Sequence, residues 1–431
     1  MHPLATLLAR RRRPAHTTIL AQRRGPPSFV LVPLFVGFFL AVAVDRALGE
    51  PSSAPLGALE PDAPVAATGR ALPAESPPVT PVPVAPRVVV GEPILRPHRK
   101  EPAAAPEARN AALERTLKKV LADGKTPYAA TVLLEVGSGR VLAVAEHSTL
   151  GPAEGLARKP MAPAASVFKI VTSSALLRRG VPAGERVCAR GGMRRLSDKL
   201  LIDDPKRDHA CTTLFDTLPL SQNTALAKLA LKHLDPEALR DEARRFGFDG
   251  ALPVDGAPAL EASPARIPDD PFGFAEAASG FGEVKLSALH GAVLASIVAT
   301  GGVLVPPRLG EGDADGPEAR RVVDARHAET LRRMMADTVS EGTARRAFGT
   351  GPRLKHSAAG KTGSLTDYQT KLDTSWFVGF APAERPQVAV VTVVVNQGKW
   401  HVKAPYVAKE ALRAFFAERE REQKAAVVAH R

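Results

Sequence analysis

Only two cysteines, Cys188 and Cys211, occur in 431 residues. Neither stands in a C-x-x-C spacing and no H-E-x-x-H is present, so the common metal motifs are excluded and no cofactor is expected. Aromatic residues make up 5% of the chain. The net charge is +13, yet no basic stripe interleaved with stacking aromatics accompanies it, so nucleic acid is not an expected partner. Acidic residues are missing before residue 28, where Arg10, Arg11, Arg12, Arg13, Arg23 and Arg24 supply six positive charges and leave +7 for the remainder. The charge therefore reads as a topology signal. No internal repeat is visible.

Those arginines precede "SFVLVPLFVGFFLAVAV", Ser28 to Val44, an uncharged run of seventeen residues. At 1.5 Å per residue it spans about 25 Å, the short end of what crosses a bilayer. By the positive-inside rule the leader (residues 1–27) stays in the cytoplasm and everything after Val44 is exported. A cleaved signal peptide with Ala41-Val42-Ala43 as its site is the alternative. The long leader and long apolar run favour a retained single-pass anchor (28–44) in the cell (inner) membrane. Both readings place the rest of the chain outside the cytoplasm, in the periplasm or its equivalent. There Cys188 and Cys211 are expected to pair as a disulfide, with two unrelated buried thiols as the alternative.

Residues 45–107 are dominated by Pro, Ala and Val, which reads as a semi-rigid tether. A globular region (108–418) follows, and a charged tail (419–431) closes the chain. "AATVLLEVGSGRVLAVAEH" predicts a hairpin turning at Gly137-Ser138-Gly139. From Pro163 to about Phe348 the periodicity is mostly helical. Strands return in "AGKTGSL", "SWFVGFAP" and "QVAVVTVVVNQG", and an amphipathic helix over Ala404–Glu418 completes the pattern. The expected class is α+β. An antiparallel sheet built from both ends of the domain carries flanking helices, with a helical region inserted in the middle. A cleft between the two parts is the expected site.

"PAASVFKIVTSSALL" holds one charge, Lys169, three positions after Ser166. Residues three apart share a helix face, and an amine in apolar surroundings loses its proton readily. A neutral amine there can activate the hydroxyl as a nucleophile. A lone S-x-x-K arises by chance about once in a chain of this length, and a snorkelling surface lysine is the plain alternative. "PLSQNTALAKLAL" sets Ser221 and Asn223 at a helix start, where either serves as a cap. "SAAGKTGSL" sets Lys361, Thr362, Gly363 and Ser364 at a strand start, otherwise an ordinary edge.

Taken in order, S-x-x-K, S-x-N and K-T-G resemble the serine penicillin-binding protein and β-lactamase superfamily. "AATVLLEVGSGRVLAVA", "ASGFGEVKLSALHGAVLASIVATGG", "SEGTA" and "WFVGFAP" extend the resemblance to penicillin-binding transpeptidase domains from about Tyr128 to Phe416. The resemblance implies a β-lactamase/transpeptidase-like fold. It makes Ser166 the nucleophile, Lys169 its base, and Ser221 the proton relay to the leaving amine. Lys361 would keep Lys169 neutral and attract a terminal carboxylate, with Thr362 and Ser364 binding it. Asn223 would hold the substrate's amide, and Gly363 would admit its backbone. The backbone N–H groups of Ser166 and Ser364 would form the oxyanion hole. His209, His290 and His356 lie near the motifs with no role left to fill.

Absences choose the subfamily. No E-x-x-L-N string supplies a deacylating glutamate. Tyr128, Tyr368 and Tyr406 fit no Y-x-N motif, and the second motif ends in Asn rather than Val. The expected activity is a D,D-transpeptidase acting on peptidoglycan stem peptides that end in D-Ala-D-Ala, with β-lactams as inhibitors. A D,D-carboxypeptidase or β-lactamase-type hydrolase is the alternative, and a non-turnover β-lactam-binding protein a third. Membership of a cell-wall synthesis complex is compatible with this activity.

Overall fold

Six valines in ten residues, Val388–Gln397, form the middle strand of a five-stranded antiparallel sheet. The computed structural model describes residues 106–309, 318–368 and 370–429. The leader, the apolar run and the tether up to residue 105 lie outside the described residues. Among the described residues no helix is long and apolar enough to cross a membrane.

The first half holds α1 (Pro106–Asp123), β1 (Tyr128–Glu135), β2 (Val141–Ser148), α2 (Lys169–Arg178), β3 (Arg186–Ala189) and β4 (Ala210–Thr213). Helices α3 (Asn223–His233), α4 (Pro236–Arg245), α5 (Pro271–Ala278), α6 (Ala288–Ala299) and α7 (Ala325–Ser340) follow. The chain then returns through β5 (Ala359–Asp367), β6 (Leu372–Ala381), β7 (Val388–Gln397) and α8 (Ala404–Ala429). Sheet order is β5-β6-β7-β1-β2, so both ends of the domain build one sheet and the helices between β2 and β5 form the insertion.

Strand β7 shows how the two-residue period divides the core. Val388, Val390 and Val394 join Leu117 of α1 and Leu412 and Phe415 of α8 on one face. Ala389, Val391, Val393 and Val395 join α6 on the other. Each buried valine contributes roughly 1.5–3 kcal/mol, so a strand apolar on both faces secures two helical layers at once. Thr392 is buried on this strand, and its hydroxyl meets that of Thr131 at 3.0 Å across the ladder. Helix α6 is buried from Ala288 to Val298 and has no polar face. Gly291 lets it approach the sheet, since a Cβ there would sit 3.2 Å from Val391.

Two boundaries differ from the sequence pattern. Helix α8 runs to Ala429 rather than ending at Glu418. Good helix formers continue past that point, and pairs such as Arg421–Glu418 (2.8 Å) and Lys355–Glu420 (2.9 Å) support it. The segment from Pro163 is not one α-helix. Ala162–Pro163 pairs with Lys285–Leu286, Ala165 adopts φ +48°, a 3₁₀ turn covers Ala165–Phe168, and α2 begins only at Lys169.

That turn is held from both sides. Trp376 Nε1 of β6 donates to Pro163 O at 2.8 Å, and Ala164 N donates to Val284 O at 2.9 Å. Gly280 lies directly behind it with φ +87°, where a Cβ would fall 1.8 Å from Ala165 O. Gly280→Ala is expected to lower stability by at least ~2 kcal/mol through strain plus clash. Gly282→Ala, whose Cβ would meet nothing within 4 Å, should cost only the ~1 kcal/mol of its positive φ. Urea unfolding of both variants checks this, and equal losses would mean the turn yields.

Candidate active site

The 3₁₀ turn decides the relation between Ser166 and Lys169. Side chains three apart eclipse in such a turn, and Lys169 N donates to Ser166 O within it. Ser166 is 8% exposed and Lys169 is fully buried. Lys169 Nζ points to the second motif. It donates to Ser221 O at 3.0 Å and to Asn223 Oδ1, with Ser221 Oγ at 3.4 Å. None of these partners is a carboxylate.

Ser221 and Asn223 reach this position by local strain and an unusual cap. Ser221 has φ +53° in the turn ahead of α3. The N-cap is Gln222, with no side-chain cap bond, so neither flanking residue caps the helix as sequence alone allowed. Instead Gly192 O accepts from Asn223 N (2.8 Å) and Thr224 N (3.4 Å). Asn223 Nδ2 donates to Met193 O (2.8 Å) and Arg194 O (2.9 Å). Both side-chain amide hydrogens of Asn223 are therefore held by the protein's own loop.

Strand β5 supplies the third wall. Lys361 is fully buried and its Nζ donates to Thr362 O at 2.9 Å. A Cβ on Gly363 would lie 3.2 Å from Val167 and 3.3 Å from Ala164 O. Glycine is thus required there for the 3₁₀ turn of Ser166 to pack on the strand. Ser364 is exposed on the same strand. Thr343 was not singled out by sequence, although it lies inside "SEGTA". Its Oγ1 meets Thr362 Oγ1 at 2.6 Å while its N donates to Pro219 O at 3.2 Å. One threonine so ties the K-T-G strand to the loop that carries Ser221. Gly342 beside it makes the approach feasible, since a Cβ would fall 2.4 Å from Pro219 O.

Cys188 and Cys211 form a disulfide between β3 and β4. His290 is buried, its Nε2 lies 2.8 Å from Phe246 O, and burial holds it down to about 4, so it stays a neutral core residue. Two buried amines dominate the electrostatics. Burial first, and then repulsion from Lys361, push Lys169 well below the ordinary lysine range. Burial alone brings Lys361 down to about 7.

In the unfolded chain Lys361 titrates near 10.4. Between about pH 7 and that value the unfolded state binds one more proton, so stability rises with pH by up to ~1.4 kcal/mol per unit from this group. Urea unfolding between pH 7.5 and 9.5 should show a steeper climb for wild type than for Lys361→Met. Parallel curves would mean that Lys361 is charged in the fold.

A sequence model described as "penicillin binding protein transpeptidase domain" matches residues 129–415. The peptidoglycan D,D-transpeptidase PbpA of Mycobacterium tuberculosis is 28% identical over 308 residues, covering 66% of this chain and 61% of that protein. Penicillin-binding protein PbpB of Mycolicibacterium smegmatis is 27% identical over 293 residues, covering 60% of this chain and 44% of that protein. The chain therefore matches 44% to 61% of the length of these curated relatives. Among solved structures, the apo transpeptidase domain of Burkholderia pseudomallei penicillin-binding protein 3 superposes with TM-score 0.59 at 21% identity, over 73% of this chain and 94% of that one. The imipenem acyl-enzyme of penicillin-binding protein A from M. tuberculosis superposes with TM-score 0.58 at 23% identity, over 70% of this chain and 77% of that one. The shared fold and the family match over some two thirds of the residues lead to one conclusion: this chain belongs to the penicillin-binding protein transpeptidase domain family.

Proposed function

We propose that the protein is a serine D,D-transpeptidase that cross-links peptidoglycan stem peptides through an acyl-enzyme on Ser166. The observation that carries this reading is Lys169. It is a fully buried amine without a carboxylate partner, set three residues after Ser166 across the 3₁₀ turn and facing Ser221. A neutral amine donates its two hydrogens to Ser221 O and Asn223 Oδ1 and keeps its lone pair for a proton. Lys169 takes the Ser166 proton as Oγ attacks the carbonyl of the penultimate D-alanine. The N–H groups of Ser166 and Ser364 hold the oxyanion. Ser221 passes the proton to the departing D-alanine, whose carboxylate rests against Lys361, Thr362 and Ser364. An amine of a neighbouring stem peptide then attacks the acyl-enzyme, and Ser166 recovers its proton.

Water in place of the amine gives a D,D-carboxypeptidase, and no residue in the three motifs selects between them. The relatives named as peptidoglycan D,D-transpeptidases favour transfer. The same reading keeps 28–44 as the membrane anchor, 45–107 as the tether and the catalytic domain in the periplasm, where substrate and β-lactams meet it.

Fluorescent penicillin should label the wild type covalently. Ser166→Ala should abolish the label in a folded protein, and persistent labelling would displace Ser166 as the nucleophile. The labelling rate of wild type should rise with pH and level off well below the range of a free lysine, because Lys169 must be neutral. A rate flat over that range removes its role as base. A D-Ala-D-Ala donor supplied with a diamino-acid acceptor peptide should yield cross-linked dimer. Rapid D-alanine release without dimer at high acceptor assigns the hydrolase instead.

A further inference from the structure

The buried amide of Asn223 is fully engaged, and the groups that engage it lie on the loop closed by the only disulfide among the described residues. Its Oδ1 accepts from Lys169, and its two Nδ2 hydrogens go to Met193 O and Arg194 O. Its backbone N–H goes to Gly192 O at 2.8 Å. Gly191 and Gly192 have φ +95° and +57°, and a Cβ on Gly191 would lie 2.9 Å from Thr224 Oγ1. The turn is thus seated directly on the first turn of α3, supplying the cap that Gln222 does not.

Beyond the turn, Leu196 packs on Ala227 of α3 and Ala275 of α5, with Leu201 beside it. The segment between β3 and β4 is mostly exposed and contributes few apolar side chains to the core. The Cys188–Cys211 bridge closes its base. Inside it, Arg190 pairs with Asp208 at 2.5 Å, and Asp208 pairs at 2.5 Å with Lys228, which α3 carries one and a half turns beyond Asn223. Lys228 also reaches Asp203 at 2.8 Å. The 192–194 carbonyls thus follow the disulfide by a few residues of backbone and hold Asn223, which meets Lys169, while Arg190 ties the same loop to α3 through Asp208 and Lys228 and braces it internally on Lys199 O.

We infer that the Cys188–Cys211 bridge and Arg190 are positioning residues for acylation. They hold the 192–194 turn, which orients the Asn223 amide, which in turn aims the Lys169 amine. The inference rests on the acyl-enzyme reading above and gives Asn223 a role at the base. A loosened turn releases the Asn223 amide to rotate, and Lys169 loses one of its three hydrogen-bond acceptors. The acylation step then slows while initial binding of a ligand, which this turn does not carry, is little altered.

The test uses the full-length chain in detergent and a fluorescent penicillin, separating the acylation rate constant from the initial dissociation constant. Wild type is compared with protein reduced by dithiothreitol, which closes to its cyclic disulfide as two electrons and two protons pass to Cys188 and Cys211. The Cys188→Ser/Cys211→Ser double variant and Arg190→Gln, which keeps the bridge, complete the set. The rate constant should fall roughly 10- to 100-fold in each, the dissociation constant should stay within about twofold, and reoxidation should restore the rate of reduced protein. Should reduction or the double variant unfold the domain by circular dichroism, Arg190→Gln decides alone. An unchanged rate constant in the folded members, or a loss confined to the dissociation constant, overturns the inference. An oxidised wild type that takes no label at all overturns the acyl-enzyme reading and this inference with it.

Discussion

Desolvation of an amine is the constraint on which the site depends. An ammonium buried without a counter-ion costs several kcal/mol, so the group surrenders its proton instead. Lys228 and Lys169 are both buried and both lie in the helical region, yet they are treated in opposite ways. Lys228 meets Asp203 and Asp208, the ordinary arrangement for a buried cation. Lys169 meets only a carbonyl, a hydroxyl and an amide oxygen, and Lys361 meets the carbonyl of Thr362. Two cations that would repel each other are kept together without acid, so the field within the site favours neutrality. A basic nitrogen beside a serine hydroxyl is the chemical product of that arrangement.

Keeping the site free of carboxylates requires walls that are rigid and apolar, and these come from distant parts of the chain. The 3₁₀ turn of Ser166 lies between β5 and the 278–286 segment, so sheet and insertion grip it from opposite sides. Thr172 Oγ1 adds a bond to Ala278 O at 2.7 Å. Non-glycine residues with positive φ sit beside or at two of the three motifs, Ala165 at +48° and Ser221 at +53°. Such conformations cost of order 1–3 kcal/mol each and persist only where surrounding contacts over-determine them. Here Gly280, Trp376 and Val284 do so for the first turn, and Thr343 with Gly342 flank the second.

Much of the architecture is legible in the sequence because it follows from side-chain periodicity. Gly137 and Gly139 mark the first hairpin and both adopt positive φ there. The valine run at 388–395 could only be a strand covered on both faces, and a helix as uniformly apolar as 288–299 could only be central. Local rules failed where tertiary contacts outweigh propensity. The apolar run Pro163–Leu177 has the pattern of an α-helix, but pairing of Ala162–Pro163 with the strand at Lys285–Leu286 forces a tighter turn at its start. Helix α8 outruns its apolar face because charged pairs sustain it beyond the core.

The sequence by itself determined which groups the proposed chemistry draws on: Ser166 with Lys169, Ser221 with Asn223, and Lys361 with Thr362, each pair set by spacing within one short segment. Their assembly is a property of three segments up to nearly two hundred residues apart, and only the tertiary structure could decide it. Burial of Lys169 and Lys361 belongs to that class, since a lysine in an apolar string can equally well reach water until another element covers it. So does the engagement of Asn223, whose amide hydrogens go to backbone carbonyls, and a carbonyl carries no signature of residue type. Thr343 escaped for the same reason: its value lies in touching Thr362 and Pro219 at once, a relation created by the packing of α7 against β5 and invisible to any local pattern.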